Sequence, residues 1–266
     1  MLASTLLGTD PARLPVAFLV RTGAAFGLSE GAVRTALSRM AAAGEVRADG
    51  NGWYALEGGL VTRQTRQRQS RSARTNEWSG RWRMAVVEPG PRHAGDRAEL
   101  RGAMQRLRFA EQREGVWLRP DNLDPDRLPA AMHLVDAQCR WFTVEPDVSL
   151  EHPDDELVEQ LWDLAAWSER AVDLRRRMHA LTARLVTGDT DALAPGFVLS
   201  AAVLRHFGAD PLLPRELLPR HWPGSAIRVD YDRYDQAFRD LLAEWARSSV
   251  DDPSSAMPAR PTTKAL

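Results

Sequence analysis

The stretch Ser29–Gly44, reading SEGAVRTALSRMAAAG, decides the fold of the N-terminal region. Ser29 is a favourable helix N-cap, and Glu30 suits the positive end of a helix dipole. Four apolar side chains then recur at the i, i+3, i+4, i+7 spacing of a single helical stripe: Val33, Ala36, Leu37 and Met40. The pattern predicts an amphipathic helix that ends at Gly44.

The opposite arc of this helix carries side chains that reach phosphate oxygens and base edges in a DNA major groove. They are Arg34, Thr35, Ser38 and Arg39, and Ser29 at the helix start is counted with them as a candidate DNA contact. A helix is predicted over residues 14–26, and a short glycine-containing turn joins the two helices. Periodicity alone is equally consistent with a surface helix whose arginines only confer solubility.

A hairpin is predicted directly after this helix. Residues 45–48 and 53–56 flank an Asp-Gly-Asn-Gly turn, a strong hairpin signal. Helix, turn, helix and hairpin in that order is the winged-helix arrangement. The sequence therefore predicts a winged-helix DNA-binding domain over residues 1–62.

Charge is distributed unevenly along the chain. Lys and Arg number 35 and Asp and Glu 36, so the net charge is -1 and a uniformly basic protein is excluded. Residues 58–83 nevertheless hold seven arginines and one acid, whereas residues 144–169 hold acids and neither Lys nor Arg. Residues 62–75 lack apolar side chains except Ala73, so residues 63–77 are predicted to be a basic linker or exposed arm. Its candidate phosphate contacts are Arg63, Arg66 and Arg68.

Composition narrows the classes of protein. The single cysteine, Cys139, excludes an internal disulfide and a multi-cysteine zinc site. The chain lacks a long apolar run and its start does not resemble a signal peptide, so a cytoplasmic protein without a membrane span is expected. Histidines, tyrosines and serines form no dense catalytic cluster, which disfavours an enzyme without excluding one. We expect a protein that is not an enzyme and needs no cofactor.

The rest of the chain predicts an α+β region followed by a helical one. Strands are predicted over 82–87, 116–118, 132–135 and 141–144, with a helix over 97–109, which suits an α+β sandwich within residues 78–145. Helices are predicted over 154–186, 195–207 and 234–246, within a C-terminal domain of residues 146–250. Between them lies a proline-rich loop that is expected to be packed and rigid. Residues 251–266 are predicted to be a mobile tail.

Three stretches resemble the PaaX family, the transcriptional repressors of phenylacetic acid degradation genes. They are LSEGAVRTALSRMAAAG (28–44), WSGRWRMAVVEPG (78–90) with RAELRGAMQRLRF (97–109) and GVWLRPDNL (115–123), and LRHFGADPLLPRELLPRHWPGSAI (204–227). The resemblance implies a homodimeric regulator with a winged helix, a ferredoxin-like middle domain similar to the small CRISPR-associated nuclease fold, and a helical C-terminal domain. It also implies double-stranded operator DNA as partner and an aryl- or acyl-CoA thioester, such as phenylacetyl-CoA, as effector. The sequence departs from the family pattern in a short first helix and in a hairpin tip without arginine.

A thioester site needs arginines at its mouth and an apolar pocket behind them. The candidates are Arg81, Arg83 and Arg119 beside Trp82 and Trp117. A second group comprises Arg175, Arg176, Arg177, Arg205 and His206. Solvated arginines, or salt bridges to the acidic segment, are the alternative interpretation of both groups.

Two other classes of function remain open from the sequence. A metal-dependent nuclease would use Glu88, at the end of the first predicted middle-domain strand, paired across a dimer around a divalent cation. The alternative for Glu88 is a surface residue before a turn proline. The other class is an interaction protein whose winged helix binds protein instead of DNA.

Overall fold

The computed structural model describes residues 2–124, 127–145 and 153–248. The chain forms two compact units. The first contains residues 2–64, 178–199 and 232–248, and the second contains residues 65–177 and 200–231, each taken within the described ranges. The predicted mobile tail, residues 251–266, lies outside the described residues.

The N-terminal part of the first unit combines three helices with a small sheet. The helices are α1 (Leu2–Leu7), α2 (Val16–Ala25) and α3 (Glu30–Ala42), and the strands are β1 (Arg13–Pro15), β2 (Val46–Ala48) and β3 (Trp53–Leu56). The antiparallel sheet has the order β1-β3-β2. The predicted hairpin is therefore present. The predicted helix over 14–26 begins later, at Val16, because residues 13–15 pair with β3.

The core of this part is apolar and includes the predicted inner face of α3. Leu6, Leu19, Val33 and Leu37 are fully buried, and Val46 of β2 is almost so. Burial of one such side chain contributes roughly 1.5–3 kcal/mol to the free energy of unfolding. The core thus fixes how α3 is turned about its own axis.

The segment predicted as a linker or exposed arm is instead helical over most of its length. Helix α4 spans Gly58–Ser72. It lacks the apolar stripe that a sequence reading relies on, but Gln64 is buried and its Nε2 donates hydrogen bonds to the carbonyls of Leu7 (3.0 Å) and Thr9 (2.9 Å). The buried Gln64 amide, with its two carbonyl acceptors, therefore anchors a helix that has no apolar pattern by which it could be predicted.

The second unit contains an antiparallel sheet with two helices between its strands. The elements are β4 (Trp82–Val87), α5 (Ala94–Arg106), β5 (Ala110–Arg113), β6 (Val116–Pro120), α6 (Pro129–Asp136) and β7 (Cys139–Val144). The strand order is β5-β6-β4-β7. This β-α-β-β-α-β sequence with the first strand in the centre is the ferredoxin-like arrangement.

The strand predicted over 132–135 is wrong. These residues belong to helix α6, where Pro129 occupies the first turn and Ala131 and Val135, four residues apart, are buried. A short apolar run fits a strand and a buried helix equally well, and here the helical spacing prevails. Strand β5 was not predicted, since Ala-Glu-Gln-Arg lacks the β-branched and aromatic residues typical of strands.

The C-terminal region is helical. Its helices are α7 (Pro153–Leu161), α8 (Leu164–Val186), α9 (Leu193–Gly208) and α10 (Gly224–Ser248), with short 3-10 turns at Thr190–Ala192 and Arg215–Leu217. In the proline-rich loop Leu212, Leu213 and Leu217 are buried, as the sequence predicts. No helix within residues 2–124, 127–145 and 153–248 is both long enough and apolar enough to cross a bilayer.

Candidate nucleic-acid interface

Helix α3 has two contrasting faces. Val33 and Leu37 point into the core, whereas the predicted contacts Arg34, Thr35, Ser38 and Arg39 are all exposed. The four side chains therefore share one solvent-facing surface, which we call the outer face of α3. A guanidinium can pair bidentately with guanine or with phosphate, and hydroxyls reach either partner.

The start of α3 is held by its cap. The Ser29 hydroxyl accepts a hydrogen bond from the backbone N–H of Ala32 at 3.3 Å. Arg34 Nε donates to Glu30 Oε1 at 2.7 Å, with both side chains more than half exposed. An exposed pair of this spacing is worth only ~0.3–0.5 kcal/mol, so breaking it costs Arg34 little. Ser29, predicted as a DNA contact, has a structural role as helix cap.

The tip of the β2–β3 hairpin is rigid. Asp49 Oδ1 accepts hydrogen bonds from the backbone N–H groups of Asn51 (3.0 Å) and Trp53 (3.1 Å). The Arg13 guanidinium also pairs with Asp49, and this hydrogen bond holds the pKa of the Asp49 carboxyl below its usual range. Gly50 and Gly52 adopt the positive φ that the turn needs.

Arg13 was missed by the sequence analysis. Its guanidinium lies 4.7 Å above the centre of the Trp53 ring. Pairing with Asp49 and stacking on Trp53 place a positive side chain beside the turn of the hairpin, whose own residues 49–52 carry none. Strand β1 brings Arg13 there, and three residues with one proline carry too little pattern to predict it.

The three predicted arm arginines lie on α4. Arg63 and Arg68 are exposed, whereas Arg66 is half-buried. Arg63 belongs to the same compact unit as α3, and Arg66 and Arg68 belong to the other. Arg63 is thus the arm residue that the structure places in one unit with the outer face.

The predicted effector residues do not come together as one site. Trp82 is fully buried, donates from Nε1 to Asp154 Oδ1 at 2.8 Å and stacks on Trp162. Trp117 is also a core residue, and the exposed Arg81 pairs with Glu145 at 3.3 Å. Arg83 and Arg119 alone of the five line a common cavity.

The second predicted group is held in internal contacts. Arg175 pairs with Asp230 at 2.6 Å, and Arg176 and Arg177 lie near Asp173. These partners belong to the helical region and not to the acidic segment of residues 144–169. Arg205 is exposed.

His206 is buried and stacks on Trp167, with ring centres 4.2 Å apart. Burial lowers the pKa of His206 to about 4, although Asp210 opposes the shift. This histidine is therefore neutral at physiological pH and cannot contribute positive charge to an effector site.

Three family models match the chain in order. They describe a PaaX-like protein (residues 2–59), the central Cas2-like domain of PaaX protein (75–158) and the C-terminal domain of a PaaX-like protein (162–248). The chain belongs to the PaaX family. Membership indicates a transcriptional regulator that binds DNA.

Among solved structures, this PaaX-like protein is similar to an uncharacterised protein from Mycobacterium tuberculosis. The two are 37% identical, the match covers 91% of this chain and 95% of the other, and the TM-score is 0.70. A search of curated proteins returns no match. The similarity therefore supports the architecture of a PaaX-like protein without adding a ligand.

The Cas2-like description of the central domain bears on the nuclease alternative. Glu88 pairs with Arg140, so its carboxylate already faces a positive charge. Among the described residues, no three His, Cys, Asp or Glu side chains are grouped so as to hold a metal ion. Nothing among the residues that the structure describes favours nuclease chemistry.

Proposed function

We propose that this PaaX-like protein is a transcriptional repressor whose N-terminal region is a winged helix that inserts α3 into the major groove of operator DNA. The observation that carries the proposal is the two-faced character of α3. Val33 and Leu37 are buried in the core, and this leaves two guanidiniums and two hydroxyls together on the outer face. A recognition helix of a helix-turn-helix protein presents its side chains to the groove in this way.

The proposal includes a homodimer. Palindromic operators are read by two-fold symmetric proteins. Strand β7 is the last strand in the order β5-β6-β4-β7, so one of its edges has no partner among the described strands. An open edge of this kind supports pairing with a second copy.

The proposal also includes release by an aryl- or acyl-CoA thioester, through which a catabolic operon would be induced. A ligand shifts operator binding only by its different affinity for the two states of the repressor. Operator affinity measured across a panel of acyl-CoA thioesters tests this part. We expect at least one thioester to weaken binding, and equal affinity across the panel would contradict the ligand class.

DNA binding is tested by fluorescence anisotropy with the DNA upstream of the protein's own gene. Neutralised phosphates predict that affinity falls by roughly 10³-fold or more between about 50 and 200 mM salt if about six phosphates are contacted. Binding through an apolar protein-docking surface would show no such slope.

Two arginine variants separate base contacts from phosphate contacts. Arg34→Ala and Arg39→Ala are each expected to lose ~1–3 kcal/mol of operator binding where the side chain reads a guanine. The matched control is Arg97→Ala, an exposed arginine on α5. An equal loss on operator and random DNA marks a phosphate contact. Unchanged affinity in both α3 variants would contradict the proposal.

A further inference from the structure

The turn between α2 and α3 is held by the hydrogen bonds of a helix C-cap. The N–H of Gly27 donates to the carbonyl of Ala24 (2.9 Å), and the N–H of Leu28 donates to the carbonyl of Gly23 (3.0 Å). Gly27 has a φ of 73°, the left-handed conformation with which this kind of cap ends a helix. Ser29, the N-cap of α3, follows at once. A displacement of the end of α2 is therefore passed on to the start of α3.

Phe26, the residue that caps α2, contacts a side chain from the C-terminal helices. Its ring meets the ring of Phe197 on α9 edge to face, with ring centres 5.1 Å apart and ring planes inclined at 67°. Both side chains are half-buried, and both residues belong to the first compact unit although they lie far apart in sequence. Aromatic rings attract each other in this arrangement beyond the burial of their apolar surface. The end of α2 is thus supported by α9.

The part of α9 that carries Phe197 is itself packed closely on α10. The Tyr234 hydroxyl donates a hydrogen bond to the carbonyl of Gly196, and Tyr234 is fully buried. A Cβ on Gly196 would lie 3.0 Å from the ring of Phe238 and 3.2 Å from the Tyr234 hydroxyl, so glycine permits this close approach. The backbone next to Phe197 therefore has a defined position, and the Phe197 ring is a firm support for Phe26.

These contacts form one continuous path from α10 through α9 to the capped turn that starts α3. The path matters for a helix that reads DNA, because a binding constellation has to be held to within about 0.5 Å of its productive geometry. The core beneath α3 fixes its rotation, and the path fixes the point from which it starts. Two independent sets of contacts therefore orient the outer face.

We propose that Phe197 is a positioning residue for operator binding. Through its contact with Phe26 it holds the end of α2, and hence the outer face of α3, in the orientation that enters the major groove. The position of α9 thereby sets operator affinity, to the extent that two positions of α9 differ in their affinity for DNA. This regulation rests on the proposed function, whereas the support of the turn by Phe197 does not.

Hydrogen exchange of the full chain, measured by mass spectrometry without DNA, tests the support of the turn. Phe197→Ala should speed amide exchange in peptides that cover residues 26–37, because the turn opens more easily without the Phe197 ring. Val198→Ala truncates the next residue, which is 61% exposed, and should leave exchange in these peptides unchanged. Equal exchange of residues 26–37 in the two variants would overturn the proposal.

Operator binding, measured by fluorescence anisotropy, tests the consequence for DNA. Phe197→Ala should bind at least about fivefold more weakly than Val198→Ala, the lower end of typical couplings between two sites. If Phe197 acts through Phe26, adding Phe197→Ala to a Phe26→Ala protein should change the affinity by no more than about twofold. A merely structural role of Phe197 would instead give losses that multiply in the double variant, and this result would overturn the proposal.

A milder variant keeps both comparisons valid if Phe197→Ala does not fold, which circular dichroism melting shows. Phe197→Leu retains an apolar side chain but lacks the ring edge that meets Phe26, so it should shift exchange and affinity in the same directions. A folded Phe197→Leu protein with the exchange and affinity of Val198→Ala would overturn the proposal. Faster exchange at the turn in a protein whose original form binds no DNA would confirm the support by Phe197 and contradict the proposed function.

Discussion

The arginines on the outer face of α3 and the buried Arg119 of strand β6 are the same side chain in opposite settings. Arg34 and Arg39 are exposed to solvent on a helix whose other face is core. Arg119 is 3% exposed and hydrogen-bonds uncharged groups inside a β-sheet module. Hydration balances the charge of the first pair at little cost to stability, whereas the second setting loses hydration and replaces it with hydrogen bonds to uncharged acceptors.

This difference separates two kinds of function. An exposed guanidinium on a rigid helix suits a polyanion that approaches from outside, such as a DNA backbone. A buried guanidinium that donates to the oxygens of Leu107, Pro120 and Asn122 holds segments of the protein together instead. The net charge of -1 reveals neither setting, because it is a sum over the whole chain and each setting is a local arrangement of charge.

The largest expected effect concerns the packing that orients the outer face. Leu37→Ala is expected to lower the free energy of unfolding by roughly 3–4 kcal/mol, because Leu37 is fully buried and leaves a cavity. Urea unfolding measures the change. Thr35→Ala, on the outer face, should change stability by no more than ~0.5 kcal/mol. Equal losses in the two variants would show that α3 does not have the two faces described.

The next effect contrasts the arginines directly. Arg119→Met is expected to destabilise the protein by about 2–3 kcal/mol, because three buried acceptors lose their donor. Arg34→Met removes one exposed ion pair and should cost ~0.5 kcal/mol or less. Urea unfolding of both variants gives the comparison. An Arg119→Met protein as stable as Arg34→Met would remove the distinction between the two settings.

The smallest effect concerns His206, a buried basic side chain that, unlike an arginine, can lose its charge near neutral pH. His206 is buried near Arg170, Arg228 and Asp210, and burial lowers its pKa to about 4. Between about pH 6.5 and pH 4 the imidazole is therefore protonated in the unfolded chain but not in the folded chain. The contribution of His206 to the free energy of unfolding is complete above this range and falls as the pH drops through it.

We expect His206→Gln to remove ~1–2 kcal/mol of the stability difference between pH 7.5 and pH 5. Urea unfolding at the two pH values measures this. His133→Gln, on an exposed histidine of α6, is the matched control and should leave the difference unchanged. A pH dependence identical in the original protein and His206→Gln would contradict the inferred burial of a neutral imidazole.

Sequence reading performs best where periodicity is strong. The stripe Val33, Leu37 and Met40 predicts both α3 and its exposed face, and the Asp-Gly-Asn-Gly turn predicts the hairpin. It fails where a tertiary contact replaces the pattern. Strand β1 exists through pairing with β3, and α4 is anchored by the amide of Gln64. Neither contact produces a pattern in the residues of the element itself, so neither element could be predicted from its own sequence.

The candidate sites divide along the same line. The outer face of α3 follows from helical geometry, so its four residues were predicted together. The grouping of Arg83 with Arg119 depends instead on register across the sheet, which places the two residues opposite each other on β4 and β6. A sequence can suggest that Arg83 and Arg119 share a site, but it cannot show that Trp82 is enclosed in the core.

Site-directed disulfide cross-linking is the sharpest test of the proposal that the outer face of α3 enters duplex DNA. The natural cysteine, Cys139, is buried and its pKa is raised to about 11, so it does not react with a thiol-tethered duplex. Ser38→Cys is expected to cross-link to operator DNA that carries the tether on a base edge, while Val198→Cys, exposed on α9, stays at background. Equal cross-linking of the two variants, or cross-linking of Val198→Cys alone, would contradict the claim.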